Sequence, residues 1–383
     1  MKLGLTADQE LLGGTTRKFL ENTVPTSVLR ELRDHPDGYQ ADYWKAGAEL
    51  GWTSLLVAEE YGGGSVSENG LSDLALVAYE FGRHAAPGPL LAANVVAAAL
   101  SRVGGAAPAQ ILDRICAGDM VAAWCLSEPA PHAGLGEVAT TASAVDGDWL
   151  LSGTKGPVEH AAQAELFLVT ARTDEGLTQF LVPADSPGVT VTPLTSLDTV
   201  RRFARVRFED VRVPAGAVLG DVGLAAAEVQ RQLNEALVIQ TAEMVGAMDR
   251  AFELTVAWAG DRYSFGRTLS TYQALKHRFA DMKMWLEASH AVADAAAAAV
   301  GAGADRAAEL VSVAKSYVGQ YGPALCQDCV QLHGGIGLTF EHDLHLYLRR
   351  VSVGSALLGT AREHRLRLAG LLEAREQARA VAA

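Results

Sequence analysis

The sequence predicts an α+β fold laid out as helices, then strands, then helices, and three observations carry that prediction. Residues 1–119 show helical periodicity in Ala41–Leu50, Leu71–His84 and Pro89–Val103, separated by Gly/Pro-rich loops such as EEYGGGS and AAPGP. Residues 120–225 switch to the two-residue period of strands, most cleanly in ARVRFEDVRV, where Val206 and Phe208 alternate with Arg205 and Arg207. Residues 226–383 return to helical patterning, with an Ala-rich run, ASHAVADAAAAAVGAGADRAAELVSVAKSY, that suits closely packed bundle helices.

Local signals place the elements within this frame. Thr6 with Gln9 forms a capping-box pattern that opens the first helix. WCLSEP reads as a strand ending in a turn, and Asp146-Gly147 between two apolar runs signals a hairpin. ELFLVTAR and TQFLVPA read as further short strands. Gly301 and Gly303 mark a break between two bundle helices, and no fixed-period repeat is present.

Bulk properties narrow the function. A chain of 383 residues is long enough for two or three domains, or one large layered unit. Its net charge of −13 excludes nucleic acid or an anionic membrane surface as the main partner, since both need a basic footprint. A local basic site for a phosphorylated ligand stays open. The N-terminus, MKLGLTADQELL, has no signal-peptide pattern, and the greasy segment PLLAANVVAAAL is too short to span a bilayer, so it reads as a buried helix. Four cysteines make no disulfide framework, which points to the cytoplasm.

Two motifs carry candidate chemistry. RYSFGRTLSTYQALKHR (262–278) places an Arg, a Phe and a Gln close together around a Gly-containing loop. Such a set suits pyrophosphate, aromatic and base-edge contacts, or simple structural packing. QLHGGIGLT (331–339) packs three glycines into four positions, where backbone free of Cβ can approach a phosphate or ribose. A third feature is QTAEMVGAMDR (240–250), which sets Glu243 among apolar neighbours on a helix. A buried carboxylate is either paired with a cation in a polar network or held as a base short of water.

Cys326 and Cys329, followed by His342 and His345, come near zinc-finger spacing. The histidine pair is one residue too close and the intervening chain is the Gly-rich loop, so the cysteines read as small buried helix residues. His277 and His333 either touch a bound ligand or simply pack, and packing is the expectation. Arg201, Arg202 and Arg205 form either a strand's solvated face or a local site for phosphates.

With these motifs in order, the chain resembles the acyl-CoA dehydrogenases. WCLSEP matches the family's Thr/Ser-Glu-Pro strand, and LLSGTKG, VTAR, FLVPADSPGVTV, RVRFEDVRVP, RYSFG…YQALKHRFADM and QLHGGIGLTFEHDLHLYLRR follow along essentially the whole chain. The resemblance implies an N-terminal helical domain, a middle β-barrel and a C-terminal four-helix bundle. It implies FAD at the barrel–bundle junction and a homotetramer, or a heterotetramer with a related subunit, whose segments reach a neighbour's FAD. Arg262, Phe265, Gln273, Gln331, Gly334, Gly335 and Gly337 would contact the pyrophosphate and adenine end, and Ser127 would face the flavin ring. Thr360 belongs to a Gly-Thr stretch that also borders the cofactor. The implied chemistry is removal of an acyl-CoA α-proton by a carboxylate and hydride transfer to FAD, with electrons passed on to an electron-transfer flavoprotein. An acyl-CoA oxidase, using oxygen instead, is the variant on that theme.

The departures are as informative. Aligning Gly359-Thr360 with the family's Gly-Thr puts Leu358 where many members carry the base. A second group carries it at the position of Ala236, and Glu235 beside it is rotated about 100° away. Glu243 lies two turns beyond Ala236 on nearly the same face, in a stretch like that of members acting on steroid side chains, and is the expected base. The segment APHAGLG after Ser-Glu-Pro, and Pro157, Val158 and Glu159 after Lys155, replace family segments on the flavin side. This pattern resembles subunits of heterotetrameric acyl-CoA dehydrogenases, in which one chain lacks part of the machinery. The alternative is therefore a non-catalytic subunit that shares an FAD site.

Overall fold

The computed structural model describes residues 4–129 and 138–382. Helices α1 (Ala7–Thr23), α2 (Thr26–Leu32), α3 (Ala41–Glu49), α4 (Gly70–His84), α5 (Leu90–Val103) and α6 (Ala106–Cys116) form the N-terminal region. The expected capping box opens α1, with Gln9 N donating to Thr6 Oγ1 at 3.2 Å and Thr6 N donating to Gln9 Oε1 at 3.1 Å. Every residue of α5 from Leu90 to Ser101 is buried, so its apolar run is answered by protein on all sides. Among the described residues no helix is long and apolar enough to cross a membrane.

The middle region is one mixed sheet. Its strands are β1 (Ala122–Cys125), β2 (Thr141–Val145), β3 (Asp148–Glu159), β4 (Leu166–Thr173), β5 (Gly176–Pro183), β6 (Val189–Leu194), β7 (Phe203–Val213) and β8 (Val218–Leu219). They pair in the order β6-β7-β3-β2-β4-β5-β8, with β1 parallel to β4. Asp146 and Gly147 turn β2 into β3 with φ of +54° and +87°, the positive pair a tight hairpin turn demands. Alternation on β7 is as read: Val206 and Phe208 are buried while Arg205 and Arg207 are exposed. Phe167 on β4 meets Phe208 on β7 edge-on at 6.3 Å although two strands separate them in pairing order. The sheet therefore curls over a single core, in the manner of the expected barrel.

The C-terminal region begins with α7 (Ala226–Asp261), followed by the two-residue strands β9 (Tyr263–Ser264) and β10 (Arg267–Thr268). Helices α8 (Gln273–Gly301), α9 (Ala307–His333), α10 (Leu344–Ala356) and α11 (Ala361–Ala382) complete the bundle. Gly301 ends α8 as predicted, and Cys326 and Cys329 are buried on α9.

Two glycines decide how closely the N-terminal region docks on the bundle. A Cβ on Gly82 of α4 would meet the Glu243 carbonyl oxygen at 1.8 Å, and one on Gly246 of α7 would meet the Tyr79 carbonyl oxygen at 1.9 Å. The helices thus touch backbone to backbone, and Glu243 sits at the crossing. Gly246→Ala is expected to destabilise by at least the ~3 kcal/mol upper range of overpacking. In urea it should lower the unfolding midpoint with little change in slope.

Candidate functional site

A chain of buried and half-buried charges meets where the three regions join. Arg350 of α10 is 1% exposed. Its Nη1 donates to Glu243 Oε1 at 2.6 Å and to the Ala86 carbonyl at 3.0 Å. Its Nη2 donates to the Ala85 carbonyl at 2.9 Å, and its Nε to Asp198 Oδ2. Arg201, in the chain entering β7, donates from Nη1 to Glu243 Oε2 at 3.3 Å and from Nε to Glu159 Oε1 at 2.7 Å. A chain of alternating charge results: Glu159, Arg201, Glu243, Arg350, Asp198. Burial pushes the Asp198 carboxyl up, but Arg350 and Arg201 beside it more than offset this and hold it below its ordinary value.

Glu243, the carboxylate expected to act as base, is therefore held by two guanidiniums, one on each oxygen. Arg201 and Arg202 correct their sequence reading, being neither a solvated face nor a phosphate site. Arg201 is buried in the ion-pair chain, and Arg202 Nη2 donates to the Leu32, Arg33 and His35 carbonyls. Only Arg205 is exposed, on β7.

Beside this chain lies a cavity of about 40 Å³, lined by residues including Trp124, Ser127, Pro157, Glu159, Arg201, Gln240, Leu357 and Leu358. Trp124 is fixed by its Nε1, which donates to Gln232 Oε1 at 3.0 Å, and Gln232 exchanges two 2.8 Å hydrogen bonds with Gln179 of β5. Ser127 reaches the wall because its neighbour Glu128 is anchored, accepting from Lys155 Nζ at 2.8 Å and from Thr140 N at 3.0 Å. Those bonds join the Ser-Glu-Pro strand to the Gly-Thr-Lys strand, two motifs that only the fold brings together.

The opposite wall is the loop from α10 to α11. Leu358, in the expected base position, has φ +56°, a left-handed conformation that costs a leucine of order 1 kcal/mol or more. Two buried groups hold it there. Lys315 of α9 donates to Gln240 Oε1 at 2.5 Å, to the Leu357 carbonyl at 2.8 Å and to the Gly354 carbonyl. His364 Nε2 donates to the Leu358 carbonyl at 2.9 Å. Burial, with Arg201 adding to it, pushes the Lys315 ammonium down to about 7. Burial pushes His364 down to about 4 against the opposing bond to Leu358. Thr360 caps α11, its N–H and hydroxyl both donating to Glu363 Oε2.

The remaining predicted residues gather at the surface. Arg262 lies over the Trp258 ring at 5.8 Å, and His333 stacks on the same ring at 5.3 Å. Trp258 thus joins the Arg-x-x-Phe-Gly turn to the Gly-rich loop. Phe265 is 97% exposed at the turn's tip, and Gln273, Gln331, Gly334 and Gly335 are exposed as well. Gly337 is buried under the loop. The segment APHAGLG lies outside the described residues.

Comparison with known proteins fixes the family. The chain matches the acyl-CoA dehydrogenase N-terminal domain over residues 6–119, the middle domain over 123–211 and the C-terminal domain over 223–371. The chain belongs to the acyl-CoA dehydrogenase family. It is 30% identical over 368 residues to acyl-CoA dehydrogenase IpdE2 of Mycolicibacterium smegmatis, covering 95% of this chain and 98% of that one. A variant of the Tcur3481-Tcur3483 steroid ACAD superposes with a TM-score of 0.86 at 27% identity, over 97% of this chain and 99% of that one. The ChsE4-ChsE5 complex of Mycobacterium tuberculosis superposes with a TM-score of 0.86 at 24% identity, over the same shares. As a family member the protein is an FAD-dependent oxidoreductase, with the fold its motifs implied.

The structure fits that cofactor unevenly. The exposed aromatic, arginine and glutamines around an open Gly-rich loop fit the pyrophosphate–adenine end, and an added Cβ on Gly334 or Gly335 meets nothing within 4 Å. The cavity beside Ser127 does not fit a three-ring flavin: small-molecule sites run to about 300–1,000 Å³, against about 40 Å³ here.

Arg350, Asp198, Lys315 and Gln240 are site residues that sequence reasoning missed. The signal for Arg350 was a charge in the apolar run LYLRRVSVG, on a helix otherwise patterned for burial.

Two outcomes follow from this electrostatics. Arg350→Ala strands the buried Asp198 carboxylate and two carbonyls and leaves Glu243 with Arg201 alone, and denaturant unfolding should show a loss of about 3–5 kcal/mol. His364 has a folded value below that of an unfolded histidine, so the unfolded chain binds the proton more readily. Its contribution to stability is complete above about pH 6.5 and is lost as pH falls toward about 4. Replacing His364 with Asn should flatten the melting temperature across that window.

Proposed function

We propose that this chain is the cofactor-sharing subunit of a heteromeric acyl-CoA dehydrogenase, in which an acyl-CoA thioester is dehydrogenated to the 2,3-enoyl-CoA on an unlike partner chain. One observation carries the reading: the cavity-lining Glu159 and the nearby Glu243 are both bound by guanidinium groups, and the cavity is about 40 Å³. A base that takes an α-proton must sit within hydrogen-bond reach of it, and Glu243 does not line the cavity. Arg350 and Arg201 occupy an oxygen each on Glu243, and Leu358 presents only hydrocarbon.

What this chain contributes is its outer surface. Arg262 and Gln273 offer donors to phosphate or base edges, Phe265 offers a bare ring, and the open glycine loop allows backbone approach. FAD, when bound, supplies the acceptor for the hydride that leaves the substrate. Electron transfer to an electron-transfer flavoprotein, and work in the cytoplasm, complete the proposal; all four cysteines are free thiols, as a reducing compartment favours. The two component names of the Tcur3481-Tcur3483 steroid ACAD support an assembly of unlike chains and a bulky acyl group.

A second reading has its own observation. Glu243 lies three residues from the cavity-lining Gln240 and against the cavity-lining Arg201, so release by Arg201 would give a base at the cavity wall.

The visible spectrum of the chain purified alone and the Glu243→Gln variant separate the two. The cofactor-sharing role predicts clearly less than one FAD per chain, restored on assembly with the partner. It predicts that Glu243→Gln lowers stability while kcat of the assembly stays within about twofold. A base predicts one FAD per chain and a kcat lowered about 10²–10⁴-fold.

A further inference from the structure

A second cavity, of about 430 Å³, opens at one mouth of the barrel, and none of its lining residues belongs to the cofactor motifs or to the ion-pair chain. The tip of the β2–β3 hairpin forms one side through Ala144, Asp148 and Trp149, and the chain through β8 forms the other through Val218, Asp221 and Val222. In pairing order β3 is third and β8 last, so the cavity lies where two flanks of the curled sheet face each other without pairing. Its volume falls in the range of about 300–1,000 Å³ usual for small-molecule sites, and barrel mouths are among the places where such sites occur.

The floor is aromatic and fixed. Trp149 is partly buried, its ring meets Phe180 of the barrel core edge-on at 5.6 Å, and Val218 pairs with the same Phe180 across β8 and β5. The cross-strand partner of Trp149 on β2 is Ala144, whose single methyl leaves room beside the indole. The charge is one-sided. Two carboxylates line the cavity and no basic side chain does. Asp148 accepts from Arg212 Nε at 2.7 Å, a residue outside the lining. Asp221 is exposed, and among the described residues its carboxylate makes no ion pair or hydrogen bond. One uncompensated negative charge therefore stands at the rim, and the net charge of −13 adds to its field.

We propose that this barrel mouth is a binding site for a small organic monocation, an alkyl- or arylammonium, with its hydrocarbon body on Trp149 and its charge against Asp221. A carboxylate beside an indole favours a cation twice, through the ion pair and through the ring's attraction for positive charge. Val218 and Val222 supply apolar wall for the carbon skeleton. An anion meets like charge there, and a neutral molecule of the same shape gains only the apolar contact. A bare metal ion does not suit the site, because a hard cation takes about six or more oxygens, and no cluster of three or more metal-ligating side chains exists among the described residues.

This goes beyond the cofactor-sharing role, and the full chain tests it without any FAD chemistry. Labelled with fluorotryptophan, its six tryptophans report separately by fluorine NMR, and Trp149→Phe identifies the resonance of Trp149. Benzylammonium, benzyl alcohol and benzoate share one ring and differ in charge. Benzylammonium should shift the Trp149 resonance saturably and bind about fivefold or more tighter than benzyl alcohol, with benzoate weakest.

Asp221→Asn removes the charge from an exposed side chain without partners, and it should bring benzylammonium down to the affinity of benzyl alcohol. Ala144→Phe, at the exposed position paired with Trp149, fills the mouth and should weaken both. The proposal is overturned if benzylammonium and benzyl alcohol bind equally or benzoate binds tightest. It is equally overturned if the Trp149 resonance stays still while others move, or if the cation's advantage survives in Asp221→Asn. Failure of the cofactor-sharing reading would appear elsewhere, as full FAD content and turnover by the chain alone, with the order of the three ligands unchanged.

Discussion

Arg350 is the group on which the arrangement of the three regions depends. From α10 its guanidinium reaches the end of α4 through the Ala85 and Ala86 carbonyls, the loop before β7 through Asp198, and α7 through Glu243. Buried charge of this kind is expensive unless every donor is answered, and here Nε, Nη1 and Nη2 each are. The N-terminal region, the sheet and the bundle meet only in the geometry that satisfies this one side chain. The backbone contact at Gly82 and Gly246 brings α4 close enough for that to happen.

That constraint also reshapes the chemistry. A carboxylate that anchors two arginines, with one lone pair of each oxygen taken by a guanidinium, is committed to holding the fold together. On the far side of the cavity, Lys315 and His364 hold Leu358 in a left-handed turn, so a hydrocarbon side chain faces the cavity. Gln240 beside them is fully buried and accepts from Lys315 through its Oε1.

The exposed end of the bundle has the opposite character. Phe265 at 97% exposure, beside Arg262, Gln273 and an open glycine loop, gains nothing from this chain and is built to meet something outside it. Trp258 is the common floor, stacked by His333 and covered by Arg262, and it keeps two motifs separated by some seventy residues in one place.

Much of this was determined by the sequence alone. Period and turn chemistry decided the helix–strand–helix order, the capping box at Thr6, the Asp146-Gly147 hairpin and the burial of PLLAANVVAAAL, because each depends on residues close together in the chain. The family and its FAD were legible for the same reason, in short motifs read one at a time. The partners of Glu243 were not. Arg201 and Arg350 lie 42 and 107 residues away, and nothing local to any of the three says that they meet. The role of Arg201 was misread as a solvated or phosphate-binding face because sequence gives the charge and not the burial. Only tertiary structure decided which ions pair, since ion pairing depends on distances through space that no run of neighbouring residues encodes.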